Sequence, residues 1–181
     1  MKPLKLVFGD VQAKRIETPN DFISHMVEHI AWRLGCSIVL QWPNKDWLAL
    51  GSLLGTRIRS FTPRCQSATT LGMIDDGSAE VRIDLGKNDD LNISAGANID
   101  LEWFLSLRCE QLSAGQDLVE LLTGLAKGLG AQILVKVCNF EDPHHTWEGV
   151  FRAVGMVLNK LFAPAVKPGV FSSSMETDID R

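Results

Sequence analysis

One arrangement of elements occurs twice along this chain of 181 residues: a helix, a Leu-Gly pair, a buried strand, a loop and a second helix. The segments DFISHMVEHIAWRLGCSIVLQW and DLVELLTGLAKGLGAQILVKV superimpose with Gly35 on Gly130, and the position ten residues before each glycine is then His25 or Glu120. Such self-similarity indicates an internal duplication. We therefore predict an α+β fold of two duplicated half-domains, each a small β-sheet with two helices, packed as a sandwich.

The predicted organisation has three parts. Residues 1–67 form the first half-repeat, residues 68–163 the second, and residues 164–181 a C-terminal tail. The tail ends in SSSMETDIDR, a polar sequence typical of a flexible terminus.

Local signals predict the individual elements. Residues 4–12 alternate apolar and polar residues as a strand does, and two further extended segments are predicted across 91–108. Thr18 as the cap and Pro19 in the first turn predict a helix start, and Gly35 predicts its end. The remaining predicted elements are the strand CSIVLQW, the helix KDWLALGSLLGTRI, a strand around Val81–Leu85, the helix GQDLVELLTGLAKGLG, the strand AQILVKVC and the helix HTWEGVFRAVGMVLNKLF.

Composition excludes several classes of protein. A net charge of −4 argues against a nucleic-acid binder or a membrane-surface binder, which would need clustered Lys and Arg. The four cysteines show no CxxC spacing, which disfavours a zinc ribbon, and the chain length makes a disulfide framework improbable. The N-terminus does not show a signal peptide, and no apolar segment is long enough for a membrane span. These features predict a cytoplasmic protein.

The histidines are the candidates for chemistry, because all four belong to two helix-borne pairs. His25 and His29 are spaced i,i+4, and the doublet His144 and His145 is followed by Glu148. Helical spacings of three and four bring side chains to one surface. Imidazole and carboxylate together suit Mn²⁺, Zn²⁺ or Fe²⁺. The doublet therefore indicates a possible metal site.

A simpler interpretation of the doublet remains open. In EDPHHTWE, Asp142 can cap a helix and Pro143 can occupy its first position, so the histidines can be ordinary first-turn residues. His29 can likewise be a half-buried helix residue and not a ligand.

Two segments resemble imidazoleglycerol-phosphate dehydratase of histidine biosynthesis. ISHMVEHIAWRLG is similar to the family's Asp-His-Met-Leu helix start, and EDPHHTWEGVFRAVGMVL is similar to its second His-His-x-x-Glu motif and the long helix that follows. The duplicated layout agrees, and the resemblance covers roughly residues 18–162.

The resemblance implies a site and an activity. Members of this family are metal-dependent carbon-oxygen lyases that bind two Mn²⁺ ions between subunits and assemble as trimers within larger shells, which implies a trimer-based homo-oligomer of up to 24 chains here. The substrate is an imidazole phosphate, and Arg152 would contact the phosphate. The implied metal ligands in this chain are His25, Glu120, His144, His145 and Glu148.

The sequence also departs from the family pattern. The loop PNKDW lacks the first His-His-x-x-Glu motif, and Glu80 stands where the family has a substrate-binding arginine. Met175 stands where a phosphate-binding tail would place lysine. Two interpretations follow. The first is a dehydratase with one metal site, built from His25 and the His144, His145 and Glu148 cluster of a neighbouring subunit. The second is a non-catalytic structural or regulatory member of the family that acts through oligomer assembly and holds one metal ion or none.

Overall fold

The computed structural model of the protein describes residues 4–8, 15–112 and 114–163. In chain order the elements are β1 (Leu4–Phe8), β2 (Arg15–Glu17), α1 (Asp21–Leu34), β3 (Cys36–Gln41), α2 (Trp47–Arg59), β4 (Ser67–Ile74), β5 (Gly77–Leu85), β6 (Leu91–Ala95), α3 (Leu101–Ser106), α4 (Gln116–Leu129), β7 (Ala131–Asn139) and α5 (Pro143–Phe162).

The strands form two sheets that share one topology. The first has the order β1-β3-β2 and the second the order β4-β5-β7-β6. In each sheet, the strand that follows a helix ending in Leu-Gly lies between an antiparallel and a parallel neighbour. In the first sheet β3 lies between antiparallel β1 and parallel β2. In the second sheet β7 lies between antiparallel β5 and parallel β6. Strand β4 is the additional edge strand of the second sheet. The repeated order confirms the predicted α+β fold with duplicated halves.

The helices pack as two pairs against these sheets. Helix α1 packs on α5 and on β3, and α5 also covers β4 and β5. Helix α2 packs on α4, where Gly51 and Gly124 allow the backbones to touch: a Cβ added at either glycine would collide with a carbonyl oxygen of the other helix. The core lies between these layers and includes the buried rings of Trp47 and Trp147. None of the described helices has the length and apolarity needed to cross a membrane.

Helix α1 begins later than the sequence predicted. The side chain of Asn20, not Thr18, caps it by accepting a hydrogen bond from the backbone N–H of Ile23 at 2.9 Å. Thr18 instead donates its hydroxyl to the carbonyl oxygen of Asn20 at 2.7 Å. The C-terminal end is as predicted, because Gly35 adopts a left-handed conformation with φ 76°.

Helix α5 begins two residues before the predicted segment HTWEGVFRAVGMVLNKLF, with the cap and first residue that the simpler interpretation of the doublet gave. A carboxylate oxygen of Asp142 accepts hydrogen bonds from the backbone N–H groups of His144 at 2.7 Å and His145 at 3.1 Å, and Pro143 occupies the first turn. The cap fixes the direction in which both histidine side chains leave the helix.

The prediction for residues 91–108 was half wrong. Strand β6 covers the first part, but Leu101–Ser106 forms the short helix α3, capped by Asp100, whose carboxylate accepts from the N–H of Trp103 at 3.0 Å. Six residues are too few for a helical period to stand out in the sequence. The last positions of the predicted strand at 4–12 and the whole predicted tail at 164–181 lie outside the described residues.

Candidate metal centre

Three imidazole rings converge on one carboxylate oxygen. Oε1 of Glu148 lies 2.7 Å from Nε2 of His25, 3.1 Å from Nε2 of His29 and 3.1 Å from Nε2 of His144. The two histidines of α1 also lie close together, with their Nε2 atoms 3.2 Å apart. Possible ligand atoms of His25, His29 and Glu148 all lie within 4.8 Å of one another.

Packing of α1 against α5 creates this convergence. Close approach is possible at Gly155, where an added Cβ would lie 2.8 Å from the carbonyl oxygen of Ile30. One turn further along, the amide of Asn159 donates to the carbonyl oxygen of Leu34 at 2.8 Å. The two helices are thereby fixed side by side within one chain. The sequence had led us to expect that His25 would meet the doublet of a neighbouring subunit.

The centre is partly closed to solvent. His29 is 4% exposed and Glu148 is 5% exposed, whereas the side chains of His25 and His144 are about one-third exposed. The ring of Trp32 packs edge-on against His29, with ring centroids 5.1 Å apart. The centre therefore has a buried floor, formed by His29 and Glu148, and an open side, formed by His25 and His144.

Burial and hydrogen bonding set the charges of the floor. Burial lowers the pKa of His29 from 6.5 to about 4, against the opposing effect of Glu148, so its ring is neutral at pH 7. Burial by itself would raise the pKa of Glu148, but the hydrogen bonds from His25 and His29 outweigh it and hold that pKa below its ordinary value. The floor therefore combines a carboxylate with a neutral imidazole, both in the protonation states that bind metals.

His144 makes a second short contact. Its Nδ1 lies 2.8 Å from Oε1 of Glu110, an exposed residue in the turn before α4. A neutral ring that donates Nδ1–H to Glu110 presents only a lone pair at Nε2, opposite the carboxylate of Glu148. Two acceptors that face each other need a proton or a cation between them.

These atoms fit a metal ion by type and by spacing. Neutral imidazole and carboxylate are the donor set that Zn²⁺, Mn²⁺ and Fe²⁺ accept. Atoms that bind one metal at about 2.1 Å lie roughly 3 Å apart. The separations of 2.7 to 3.2 Å among Glu148 Oε1 and the Nε2 atoms of His25 and His29 are of this size.

The structure turns His145 away from this centre. Its Nδ1 lies 2.8 Å from Oδ1 of Asp76 and its Nε2 lies 3.6 Å from Oδ2 of Asp75, both in the turn between β4 and β5. The hydrogen bond to Asp76 raises the pKa of His145 above its ordinary value. The predicted doublet therefore divides, with one ring on Glu148 and the other on a separate pair of aspartates.

Glu120, the other predicted ligand, lies in α4 and is not among the described residues that cluster around Glu148. Counting from the capping aspartate of each helix, Leu48 and Ser52 of α2 correspond to His144 and Glu148 of α5. Leu48 provides no ligand and Ser52 only a weak one. Helix α2, which packs against α4, therefore offers Glu120 neither a histidine nor a carboxylate at these two positions.

Arg152, the predicted phosphate contact, forms a hydrogen bond within the protein. Its Nη1 donates to the carbonyl oxygen of Met73 at 2.9 Å, and its Nε is buried without a hydrogen-bond partner among the described residues. This arginine holds α5 to the edge strand β4.

A shallow groove of about 240 Å³ opens beside the centre. The residues that line it are Asp21, Phe22, His25, Glu110, Gln111 and His144. No lysine or arginine is among these described lining residues. The groove is therefore a poor receptor for an anionic group.

Sequence reasoning missed Glu110. It lies in an irregular turn, and no periodic pattern connects it with α5. His29 was considered only as a possible ligand, because a single histidine at the margin of an apolar stripe is usually a core residue.

Proteins similar to this chain were found among curated sequences and among solved structures, but not among family models. No family model matches the chain. An imidazoleglycerol-phosphate dehydratase from Pyrococcus furiosus is 26% identical over 149 residues, which cover 79% of this chain and 80% of that protein.

Two crystal structures are similar over nearly the whole chain. The Pyrococcus furiosus enzyme in complex with (S)-C348 has a TM-score of 0.69 and 25% identity, over 90% of each chain. The Staphylococcus aureus imidazoleglycerol-phosphate dehydratase has a TM-score of 0.72 at 15% identity, over 88% of this chain and 91% of that one, and this match concerns the fold alone. With its duplicated fold and its histidine pairs on α1 and α5, the chain is similar to imidazoleglycerol-phosphate dehydratases in sequence and in fold.

Proposed function

We propose that this protein is a metal-dependent carbon-oxygen lyase of the dehydratase type with a single metal centre in each chain. Its ligands are His25, His29 and Glu148, with His144 at the open side. The supporting observation is the convergence of three Nε2 atoms on one buried carboxylate oxygen. Mn²⁺, Zn²⁺ and Fe²⁺ are the candidate ions.

The bound ion would supply positive charge that stabilises a negatively charged nitrogen of a substrate imidazole. The residues of the chain divide the other tasks. Glu148 keeps a negative charge in a buried position, and neutral His29 completes the floor. His25 and His144 stand at the exposed side, where the groove admits a ligand.

The groove favours a substrate that carries an imidazole and a hydroxyl group but little negative charge. Asp21 and Glu110 line it and would repel a phosphate, while Arg152 is bound to Met73. Loss of a charge-assisted hydrogen bond costs roughly 1.5–3 kcal/mol, and repulsion adds to that cost. We therefore expect imidazoleglycerol to be dehydrated better than imidazoleglycerol phosphate.

A matched pair of variants tests the proposal. Glu148→Gln preserves the shape but removes the central charge, and Glu120→Gln makes the same change in α4. Elemental analysis of protein purified without chelators should give about one transition-metal ion per chain for the wild type and for Glu120→Gln. Glu148→Gln should retain almost none and should lose dehydratase activity. Equal metal content in both variants would contradict the proposal.

A second candidate is a non-catalytic member that acts through assembly with a complete dehydratase. The observation in its favour is the acidic groove without a described cation. Co-expression with a complete dehydratase, followed by mass measurement of the assembly, tests it. Mixed oligomers without any activity of this chain would favour the second candidate. A homo-oligomer that dehydrates either substrate would exclude it. The trimer-based assembly of the family is itself a prediction that the same mass measurement checks.

A further inference from the structure

We infer that Glu110 is the positioning residue of His144: it holds the ring with Nδ1 protonated and with Nε2 directed at Glu148. The inference rests on the proposed function, because a fixed Nε2 lone pair is useful when a cation binds there. It adds a residue from outside the two histidine motifs. It also gives the turn between α3 and α4 a role in the metal centre.

The contacts of His144 define its orientation. Nδ1 lies 2.8 Å from Oε1 of Glu110, and Nε2 lies 3.1 Å from Oε1 of Glu148. Both nitrogens of the ring are therefore engaged by carboxylates from different parts of the chain. A carboxylate on one imidazole nitrogen fixes the tautomer and raises the basicity of the other nitrogen as a metal ligand.

The three histidines of the centre differ in the hydrogen-bond partner of their Nδ1 atom, and His144 has the closest one. Nδ1 of His25 lies 3.5 Å from Oε2 of Glu28, which is too long for a strong hydrogen bond. Nδ1 of His29 is buried and has no partner within the described part of the chain. Of the three histidines, only His144 has its Nδ1 within 3 Å of a carboxylate among the residues that the structure describes.

The turn that carries Glu110 is built to hold this side chain in place. Cys109 and Leu112 exchange backbone hydrogen bonds of 3.2 and 2.9 Å across it. Glu110 itself has φ 49°, a left-handed conformation that favours glycine. A glutamate in this conformation carries backbone strain that glycine would avoid.

The neighbouring residue ties the turn to α1. Oε1 of Gln111 accepts from the backbone N–H of Asp21 at 3.2 Å, and its Nε2 donates to Oδ2 of Asp21 at 3.1 Å. The turn thus connects the start of α1 with the start of α5. Glu110 is placed by contacts on both sides and not only by its own side chain.

Three substitutions at position 110 separate a positioning role from a structural one. Glu110→Ala removes the acceptor, Glu110→Gln keeps an acceptor without the charge, and Glu110→Gly removes the side chain and relieves the left-handed backbone. Glu102→Ala is the matched control, because Glu102 is an exposed acid on α3 outside the groove. Affinity for Zn²⁺ is measured by competition with a chromophoric chelator.

We expect Glu110→Ala and Glu110→Gly to bind Zn²⁺ about 10- to 100-fold more weakly than the wild type. Glu110→Gln should recover part of this loss, and Glu102→Ala should match the wild type. Glu110→Gly should melt at or above the temperature of Glu110→Ala, because glycine accepts the backbone conformation. Equal Zn²⁺ affinity in the wild type and Glu110→Ala would overturn the inference.

A second measurement needs no metal. In metal-free protein with ¹⁵N-labelled histidine, the ¹⁵N signal of His144 Nδ1 should be that of a protonated nitrogen, with a proton protected from exchange, and protection should disappear in Glu110→Ala. An unprotonated Nδ1, or equal protection in both proteins, would overturn the inference. A wild type that takes up no metal would refute the proposed function. The labelling result would still decide the role of Glu110.

Discussion

Nε2 of His25 lies 2.7 Å from Oε1 of Glu148, although 123 residues separate them in the chain. The contact joins α1 of the first half-domain to α5 of the second. It places a candidate metal ligand from each half in one cluster within a single chain. The duplicated fold therefore builds this site across its own two halves.

The packing of α2 on α4 gives a prediction for stability. Gly51→Ala would place a Cβ against the carbonyl oxygen of Leu121, so the helices must move apart. Overpacking of this kind costs about 1–3 kcal/mol. Urea unfolding should show this decrease in the free energy of unfolding.

Gly96→Ala is the control for that experiment, because an added Cβ there would lie 3.7 Å from its nearest neighbour. Its stability should equal that of the wild type or exceed it slightly, since alanine restricts the unfolded chain. Equal stabilities of Gly51→Ala and Gly96→Ala would refute the close helix contact.

Because His29 is buried as a neutral ring, we predict that the free energy of unfolding of the metal-free protein decreases at acid pH. The pKa of His29 is about 4 in the folded chain and 6.5 ordinarily, so between these values the unfolded state binds a proton that the folded state does not. The contribution of His29 to the free energy of unfolding is therefore fully present above pH 6.5 and is lost as the pH falls towards 4. The shift corresponds to about 3 kcal/mol. Unfolding free energies measured from pH 7 to pH 4 should decrease accordingly.

His29→Gln should lose this part of the pH dependence, because glutamine does not titrate. Glu148 acts in the same direction but mainly at lower pH, since its folded pKa lies below the ordinary value. His145→Gln is the control at a partly exposed histidine: because the pKa of His145 is raised, its own pH dependence lies above pH 6.5, and the variant should keep the fall in stability towards pH 4. A wild type and a His29→Gln variant with parallel pH profiles would show that His29 is not buried as a neutral ring.

The aspartate pair beside His145 gives a prediction for titration. The hydrogen bond to Asp76 raises the pKa of His145, so the charged ring contributes stability below the ordinary pKa and loses it as the pH rises through the folded value. In Asp76→Asn the pKa should fall towards its ordinary value. Proton NMR titration of the metal-free protein measures both. An unchanged titration midpoint would contradict the contact with Asp76.

Much of the fold could be predicted because it follows from local chemistry. Gly35 and Gly130 end their helices in left-handed conformations, and both were recognisable as stops that precede a buried strand. Strand β4 was missed because its inward positions include Thr70 and Gly72, which weaken the alternation of apolar and polar residues. Gly72 is there because the backbone of α5 passes directly over it.

The site was predictable only in part. Spacing on α5 put His144 and Glu148 on one surface, and the structure brings them together at 3.1 Å. Spacing could not decide that His145 would turn to Asp76, since that choice depends on where the β4–β5 turn lies. Nor could it find Glu110, whose contact with α5 comes from an irregular turn.

The central claim is that one chain holds one metal ion at the contact of α1 with α5. Anomalous scattering measured at the absorption edge of the bound metal, from crystals grown without chelator, tests it most directly. We predict a single peak per chain, bounded by His25, His29 and Glu148. A peak at His145 and its aspartates, a peak at Glu120, or no peak in metal-saturated crystals would contradict it.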